Sequence, residues 1–153
     1  MTQSTELHHL QNDQQKVELK IQKEIRRNED FLVLWIQDAL DKKTSYGDLE
    51  ESQFRNLVRV ADTTDSPEVV KNFLRYQVGR DKKWGRGKDS LAERIVLDIG
   101  MEGKGGKVLE LAHQIAKSTT STDTKKIWME LIRRYLGYGA RHLVFLRKGE
   151  SKS

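Results

Sequence analysis

The sequence predicts an all-α protein, folded as a compact bundle of about five to seven helices. Apolar residues recur at the helical spacing, and the alternation typical of strands is absent. Helix-capping patterns recur between these stretches, and the 153 residues contain a single proline. We expect one helical domain over residues 14–146, between a flexible N-terminal segment at residues 1–13 and a flexible basic tail at residues 147–153.

The first helical region covers residues 14–43 and contains a break. Its apolar positions follow the helical spacing until the register slips near Asn28. The region is therefore either one bent helix or two helices separated at Asn28. Lys42 and Lys43 favour a helix end, because cations stabilise the negative end of the helix dipole. The apolar positions are Val17, Ile21, Ile25, Leu32, Trp35, Ile36, Ala39 and Leu40.

Two capping patterns predict the next pair of helices. Asp48 and Glu51 fit a capping box at the start of a helix that runs to about residue 61. Ser66-Pro67 then fits an N-cap followed by proline at the first helical position, where its missing N–H is tolerated. This helix is expected to end near Gly79.

Three further helices are predicted after residue 90. Ser90 and Glu93 repeat the capping box, and Asp123 fits the cap of the last helix. The glycine-rich residues 100–106 predict a flexible break. Residues 142–146 either extend the last helix or form a lone strand, and helix is favoured because a lone strand lacks a partner. The apolar stripes are Leu91, Ile95, Val96 and Ile99; Val108, Leu111, Ala112 and Ile115; and Ile127, Trp128, Leu131, Tyr135 and Leu136.

The net charge of +5 is distributed unevenly along the chain. Residues 1–60 hold 9 basic and 11 acidic residues, whereas residues 61–153 hold 19 basic and 12 acidic residues. Within the second part, residues 71–88 and residues 125–148 each carry seven cations against one acidic residue. This asymmetry indicates a polyanionic partner.

The segment of residues 80–88 is the most informative stretch for function. Its cations can neutralise phosphates, its tryptophan offers a face for base stacking, and its glycines allow close approach of the backbone. We therefore predict a nucleic-acid contact there; the alternative is a solvated connector. The candidate residues are Arg80, Lys82, Lys83, Trp84, Arg86 and Lys88.

Two helical stripes extend this prediction. Lys71 and Arg75 lie one turn apart on the helix that leads into the basic segment. Arg133, Arg134 and Arg141 form a second stripe if the last helix continues past residue 137. Phosphate contacts of this kind position a strand without reading its bases. The alternative for Arg133 and Arg134 is that they only solvate the outer face of the helix.

No motif of catalysis or metal binding is complete. Residues 100–107 lack the first glycine and the Ser or Thr of a phosphate-binding loop. The chain has no cysteine, and its four histidines lack zinc-ligand spacing. Asp98, Glu102 and Lys104 only faintly match a magnesium nuclease pattern. We therefore expect a protein that is not an enzyme and uses no cofactor or metal.

The location and the other function classes follow from equally simple features. The polar N-terminus lacks a signal peptide and no apolar run is long enough to span a bilayer, so we expect a cytoplasmic protein without a membrane partner. One alternative function is a small helical DNA-binding regulator, although the acidic turn at residues 62–66 would repel phosphate. Another is a protein–protein adaptor that uses residues 14–43.

Two short motifs resemble those of the small helical subunits of type III CRISPR effector complexes. They are Ser52-Gln53-Phe54-Arg55 at a helix start and the aromatic and arginine-rich helix end at residues 73–80. The resemblance covers residues 48–146. It implies a non-catalytic subunit of an antiviral ribonucleoprotein, which stacks on its own copies and on other subunits and lines the channel of guide and target RNA, either single-stranded or as a heteroduplex. The nucleic-acid contacts that it implies are Arg55, Arg75 and Arg80.

Overall fold

The computed structural model describes residues 2–151, with side chains described from residue 4 to residue 149. Within this range the chain forms seven α-helices and one short 3-10 helix, which confirms the all-α prediction. Among the described residues, the only extended pairing is an isolated bridge between Met101 and Gly105. The helices are α1 (Thr2–Arg27), α2 (Glu29–Asp41), α3 (Glu51–Thr63), α4 (Pro67–Arg80), α5 (Leu91–Ile99), α6 (Lys107–Thr119) and α7 (Thr124–Ser151), and the 3-10 helix is Lys43–Ser45.

The long helix α7 is the centre of the bundle. It packs against α2, α3 and α6, and residues 142–146 continue it, with Leu143 fully buried. Gly139 allows the closest contact: a Cβ atom there would lie 2.6 Å from Cζ of Phe54 in α3 and 2.7 Å from Cγ1 of Ile36 in α2. The three helices therefore meet at a position where a side chain on α7 has no room.

The first helical region is two helices, separated at Asn28. The Asn28 side chain donates a hydrogen bond of 2.7 Å to the carbonyl of Glu24, and this local bond competes with continuation of the helix. Glu29 and Asp30 then occupy the first turn of α2, where the helix dipole favours acidic side chains. The sequence left open whether this region is one bent helix or two helices, and the structure has two.

Three of the predicted caps are confirmed. The Ser66 hydroxyl accepts from the backbone N–H of the third residue of α4, at 3.3 Å, and the Ser90 hydroxyl does the same for α5, at 3.2 Å. The Asp123 carboxylate accepts from the N–H of Lys126 at 3.1 Å and caps α7. Each side chain satisfies a donor that has no partner within the helix.

The predicted cap of α3 is wrong by two residues. The N-cap is Glu50, not Asp48, and its backbone N–H donates to the Gln53 side chain at 3.0 Å. Leu49 is buried, and the chain bends at Asp48, where the N–H of Leu49 donates to the Gly47 carbonyl at 2.8 Å, so α3 begins only after this side chain has entered the core. The capping box is thus present with Glu50 and Gln53 in place of Asp48 and Glu51.

Both ends of the described chain are helical where flexible segments were expected. Residues 2–13 are the first half of α1, and residues 147–151 are the last turn of α7; residues 1, 152 and 153 lie outside the described residues. Residues 2–27 contain no glycine or proline, and extending an existing helix is far easier than nucleating one. Among residues 2–151, no helix combines the length and the hydrophobicity needed to cross a membrane.

The glycine-rich connection of residues 100–106 is a closed turn in the structure. Met101 and Gly105 exchange backbone hydrogen bonds of 2.9 Å. Gly100 and Gly106 both have positive φ angles, and a Cβ on Gly106 would lie 2.3 Å from Cα of Gly100. The glycines are therefore required by the close approach of the two ends of the turn, and the expectation of a flexible break is not met.

Candidate nucleic-acid interface

The loop of residues 81–90, which joins α4 to α5 and contains all of the basic segment except Arg80, has a fixed backbone. The Lys83 carbonyl accepts from the N–H of Gly47 at 3.0 Å, and the Trp84 carbonyl accepts from the N–H of Ala92 at 3.1 Å. Inside the loop, the Asp81 carboxylate accepts from the N–H of Lys83 at 2.9 Å. These bonds join the loop to the α2–α3 connection and to the first turn of α5.

Trp84 anchors this loop in the core, which corrects the prediction that it stacks on a base. Its side chain is fully buried, and its ring lies 5.5 Å from that of Phe54 in α3. Trp84 has no apolar neighbours in the sequence because its contacts come from distant parts of the chain. The indole is therefore closed to an incoming base, and its Nε1 has no hydrogen-bond partner among the described residues.

Gly85 makes this anchoring possible. Its φ angle is +80°, and a Cβ there would lie 2.1 Å from the Ser45 carbonyl oxygen and 2.8 Å from Cβ of Ser90. The loop backbone thus passes in direct contact with the 3-10 helix. Gly87 also has a positive φ, of +85°, but its Cβ position faces open space. The two glycines of the segment therefore have different roles: only Gly85 is required by packing.

Most cations of the loop remain exposed. Lys82, Arg86 and Lys88 are exposed and have no carboxylate partner within the described part of the chain. Lys83 differs, because it is half-buried and its ammonium group lies 3.1 Å from the Glu50 carboxylate. The loop therefore presents three cations to solvent and uses the fourth to hold the start of α3.

The end of α4 continues the exposed basic surface. Arg75 is exposed and lines a cleft of about 300 Å³ between α4 and α5, whose opposite wall includes Gly87 and Glu93. Arg80 is exposed in the last turn of α4, and its guanidinium lies 5.7 Å from the ring of Tyr76. Gly87 lies between the loop cations Arg86 and Lys88. The cleft therefore has Arg75 of α4 on one side and this part of the loop on the other. We call the group the α4–loop surface: Arg75, Arg80, Lys82, Arg86 and Lys88.

Lys71 is a structural residue and not a phosphate contact. Its side chain is 1% exposed, and its ammonium group donates to the Gly100 carbonyl at 2.8 Å and lies 2.7 Å from the Glu68 carboxylate. The carbonyls at the C-terminal end of α5 have no partner within the helix, and a cation satisfies both the hydrogen bond and the dipole. The predicted stripe of Lys71 and Arg75 is therefore not formed.

Arg133 is used in the same way at the end of α3. Its guanidinium donates to the Ala61 carbonyl at 2.9 Å and the Thr64 carbonyl at 2.8 Å, and it lies 3.2 Å from the Asp65 carboxylate. Its side chain is 26% exposed and is held by these three groups. Both the prediction of a phosphate contact and its alternative, a merely solvated residue, are wrong for Arg133.

The second predicted stripe is therefore not formed as a continuous surface. Arg134 is held by the carboxylates of Glu130 and Glu29 and by the Gln22 side chain, so it links α7 to α1 and α2. Arg141 is exposed, with its guanidinium 5.9 Å from the ring of Tyr138. Of the three predicted residues, only Arg141 is available to a partner.

Arg55 is exposed on α3 and has no ion pair among the described residues. It follows Phe54, which contacts Trp84, so it lies on the helix against which the loop is anchored. Arg55 therefore adds an available cation on an element that borders the loop.

Asp98, which the sequence placed in a faint match to a nuclease pattern, belongs to a buried polar cluster. Its carboxylate is 3% exposed and accepts from Nε of Arg94 at 3.2 Å and from the Tyr135 hydroxyl at 2.8 Å. Burial raises the pKa of Tyr135 well above its usual range, and the charge of Asp98 adds to this effect. Asp98 thus joins α5 to α7, and within residues 2–151 no group of three or more histidine or acidic side chains is placed to hold a metal ion.

Sequence reasoning missed the role of Arg147. Its guanidinium donates to the Leu49 carbonyl at 2.7 Å and lies 6.0 Å from the ring of Tyr46. Since Gly47 donates to Lys83, this bond places the end of α7 beside the base of the loop. We predicted from the sequence that Arg147 belongs to a basic tail. Its contacts with residues 46–49 arise only when the chain folds, because these residues are far away in the sequence.

Comparison of the chain with protein-family models, with curated protein sequences and with solved structures gives no significant match in any of the three.

Proposed function

We propose that the protein binds the phosphate backbone of nucleic acid through the α4–loop surface, without cleaving it. The observation that carries the proposal is that the cations of this surface are exposed and lack carboxylate partners in the described chain. Lys83 of the same loop, in contrast, is paired with Glu50. The five cations of this surface lie along one helix end and one loop, and none of them forms an ion pair with a carboxylate of the described residues, while the loop also contains the acidic residues Asp81 and Asp89. Phosphates are the ligands that such charges attract most strongly.

Binding of this kind is electrostatic and independent of sequence. Each lysine or arginine that neutralises a phosphate releases condensed counterions, so the affinity falls as salt rises. The contacts fix the position and direction of a strand and leave its bases unread. A scaffold that holds RNA in a larger particle needs this property, because the RNA sequence that it holds varies.

The resemblance to the small subunits of type III CRISPR complexes is the basis for the assembly that we propose. In that assembly the protein is a non-catalytic subunit that contacts guide or target RNA beside copies of itself and other subunits. In support, the three residues that the resemblance implies as contacts, Arg55, Arg75 and Arg80, are all exposed. The test of the assembly is whether the tagged protein co-purifies from its host with short RNA of defined length.

The test of phosphate binding is a triple substitution, Lys82→Ala, Arg86→Ala and Lys88→Ala. We expect weaker binding to a labelled 30-nucleotide RNA, and a slope of log Kd against log salt that falls by about 0.7 for each phosphate that the variant no longer neutralises. The matched control is Lys16→Ala, Lys20→Ala and Lys23→Ala, which removes the same charge from exposed positions on α1. Fluorescence anisotropy across a salt series measures both variants.

Two outcomes would contradict the proposal. Unchanged binding by the loop variant would exclude the α4–loop surface as the contact. Equal losses in the loop variant and in the α1 control would mean that net charge, and not a site, drives binding. A preference for duplex DNA over RNA would favour the alternative of a small DNA-binding regulator.

A further inference from the structure

Tyr76 is an exposed aromatic residue on the α4–loop surface that does not pack in the core. Its side chain is 59% exposed, whereas Val70 and Leu74 on the same helix are fully buried. The core-facing side of α4 is therefore occupied by other residues. Tyr76 lies one turn before Arg80, and the two side chains are in contact.

The contact between Tyr76 and Arg80 has the geometry of a cation–π pair. The guanidinium carbon lies 5.7 Å from the ring centroid, within the range of such pairs. Aromatic rings and guanidinium planes are the two groups on which proteins stack unpaired bases. Here the pair stands at the end of α4, one residue before the loop that carries the phosphate-binding cations.

We propose that Tyr76 and Arg80 form a stacking platform for one unpaired base of a single-stranded nucleic acid. This inference rests on the proposed function, because the strand is held by its phosphates on Arg75 and on the loop cations. With Trp84 buried, Tyr76 is the aromatic group that this surface offers to a base. The platform makes the ligand a single strand, since the faces of duplex bases are covered by their neighbours.

The experiment compares three variants: Tyr76→Ala, Tyr76→Phe and Phe145→Ala. Tyr76→Phe keeps the ring, and Phe145→Ala removes an aromatic group that is 69% exposed on α7. Each is titrated with a single-stranded RNA, with the same RNA as a duplex, and with an abasic strand of equal length. The abasic strand retains every phosphate and lacks the bases, so it reports the phosphate contacts alone.

We expect Tyr76→Ala to bind the single-stranded RNA between about 5-fold and 100-fold more weakly, the range for loss of one stacked base. Its affinity for the abasic strand and the duplex should be unchanged. Tyr76→Phe and Phe145→Ala should bind all three ligands as the parent protein does. Because Tyr76 is exposed, the melting temperature should stay within a few degrees and confirm that each variant folds.

The platform would be overturned if Tyr76→Ala binds the single-stranded RNA as the parent does, or loses the same factor on the abasic strand. An equal loss in Phe145→Ala would also overturn it, because the effect would not belong to this site. These results are distinct from failure of the proposed function. If the proposed phosphate binding by the loop is wrong, the triple variant of Lys82, Arg86 and Lys88 leaves binding unchanged. If only the stacking platform is wrong, that triple variant still weakens binding and Tyr76→Ala does not.

Discussion

Residues 71–88 and residues 125–148 look alike in sequence and differ in the folded protein. Each stretch carries seven cations against one acidic residue. In the first, five cations form the exposed α4–loop surface, and only Lys71 and Lys83 are bound to groups of the described chain. In the second, Arg133, Arg134 and Arg147 are bound to carbonyl or carboxylate groups of other elements, and Lys126 lies 3.8 Å from the Glu18 carboxylate, while Lys125 and Arg141 are exposed.

The comparison shows that the role of a cation is decided by the groups around it in the folded protein, and not by the number of cations near it in the sequence. Arg133 lies at the C-terminal end of α3 and Lys71 at that of α5, where carbonyl groups lack partners. Arg147 reaches the carbonyl of Leu49 in a connection between helices. The exposed loop cations bind no such group among the described residues and stay available to a ligand.

The largest effect on stability is expected from Trp84→Ala, which tests whether the loop of the first stretch depends on its anchor. Removing a fully buried indole leaves a cavity between the loop and Phe54 and should lower the free energy of unfolding by about 3–5 kcal/mol. Urea denaturation followed by circular dichroism measures it. A loss of less than about 1 kcal/mol would mean that the indole does not hold the loop.

Gly139→Ala tests the structural role of the second stretch. The added methyl group would overlap Phe54 and Ile36, so we expect a loss of about 1–3 kcal/mol. Gly137 is the matched control, since its Cβ would meet nothing within 4 Å. Gly137→Ala should stabilise α7 by up to about 1 kcal/mol through helix propensity. Similar changes in the two variants would contradict the close packing at Gly139.

Arg133→Ala compared with Arg141→Ala separates bound from free cations within α7. Loss of the Arg133 side chain leaves the carbonyls of Ala61 and Thr64 without their donors and should cost about 1–2 kcal/mol in thermal or chemical unfolding. Arg141 is exposed and makes no hydrogen bond within the described chain, so its removal should change stability by less than about 0.5 kcal/mol. Equal effects would remove the distinction drawn between the two arginines.

The smallest effect is expected from Lys88→Ala in the first stretch. Its side chain is exposed and unpaired among the described residues, so stability should stay within about 0.5 kcal/mol of the parent. Differential scanning calorimetry at low salt is the most sensitive measurement, because repulsion between the loop cations is least screened there. A clear loss of stability would show that Lys88 belongs with the bound cations of the second stretch.

The fold was predictable because its signals are local. Helical periodicity and the caps at Ser66, Ser90 and Asp123 depend on residues a few positions apart, and all three caps are present. The cap of α3 was misplaced because Asp48 and Glu50 both fit a local pattern. Burial of Leu49, which is a tertiary effect, decides between them.

The candidate site was predictable only in part, because exposure and pairing depend on distant contacts. The exposed cations of the loop were found from their density in the sequence. The burial of Trp84 depends on Phe54, 30 positions earlier, and the bonds of Arg133 depend on residues 68 to 72 positions away. No pattern within a short stretch of sequence contains these distances.

The close contact of Gly85 with Ser45 has a consequence for the thermodynamics of the proposed binding. A mobile loop loses backbone conformational entropy when it closes on a ligand, and this loss subtracts from the affinity. Here the backbone of residues 81–90 is already held by its contacts with the 3-10 helix, α3 and α5. Only the rotamers of the lysine and arginine side chains remain to be ordered, so the entropy of arranging the loop is lost during folding and not when a strand arrives.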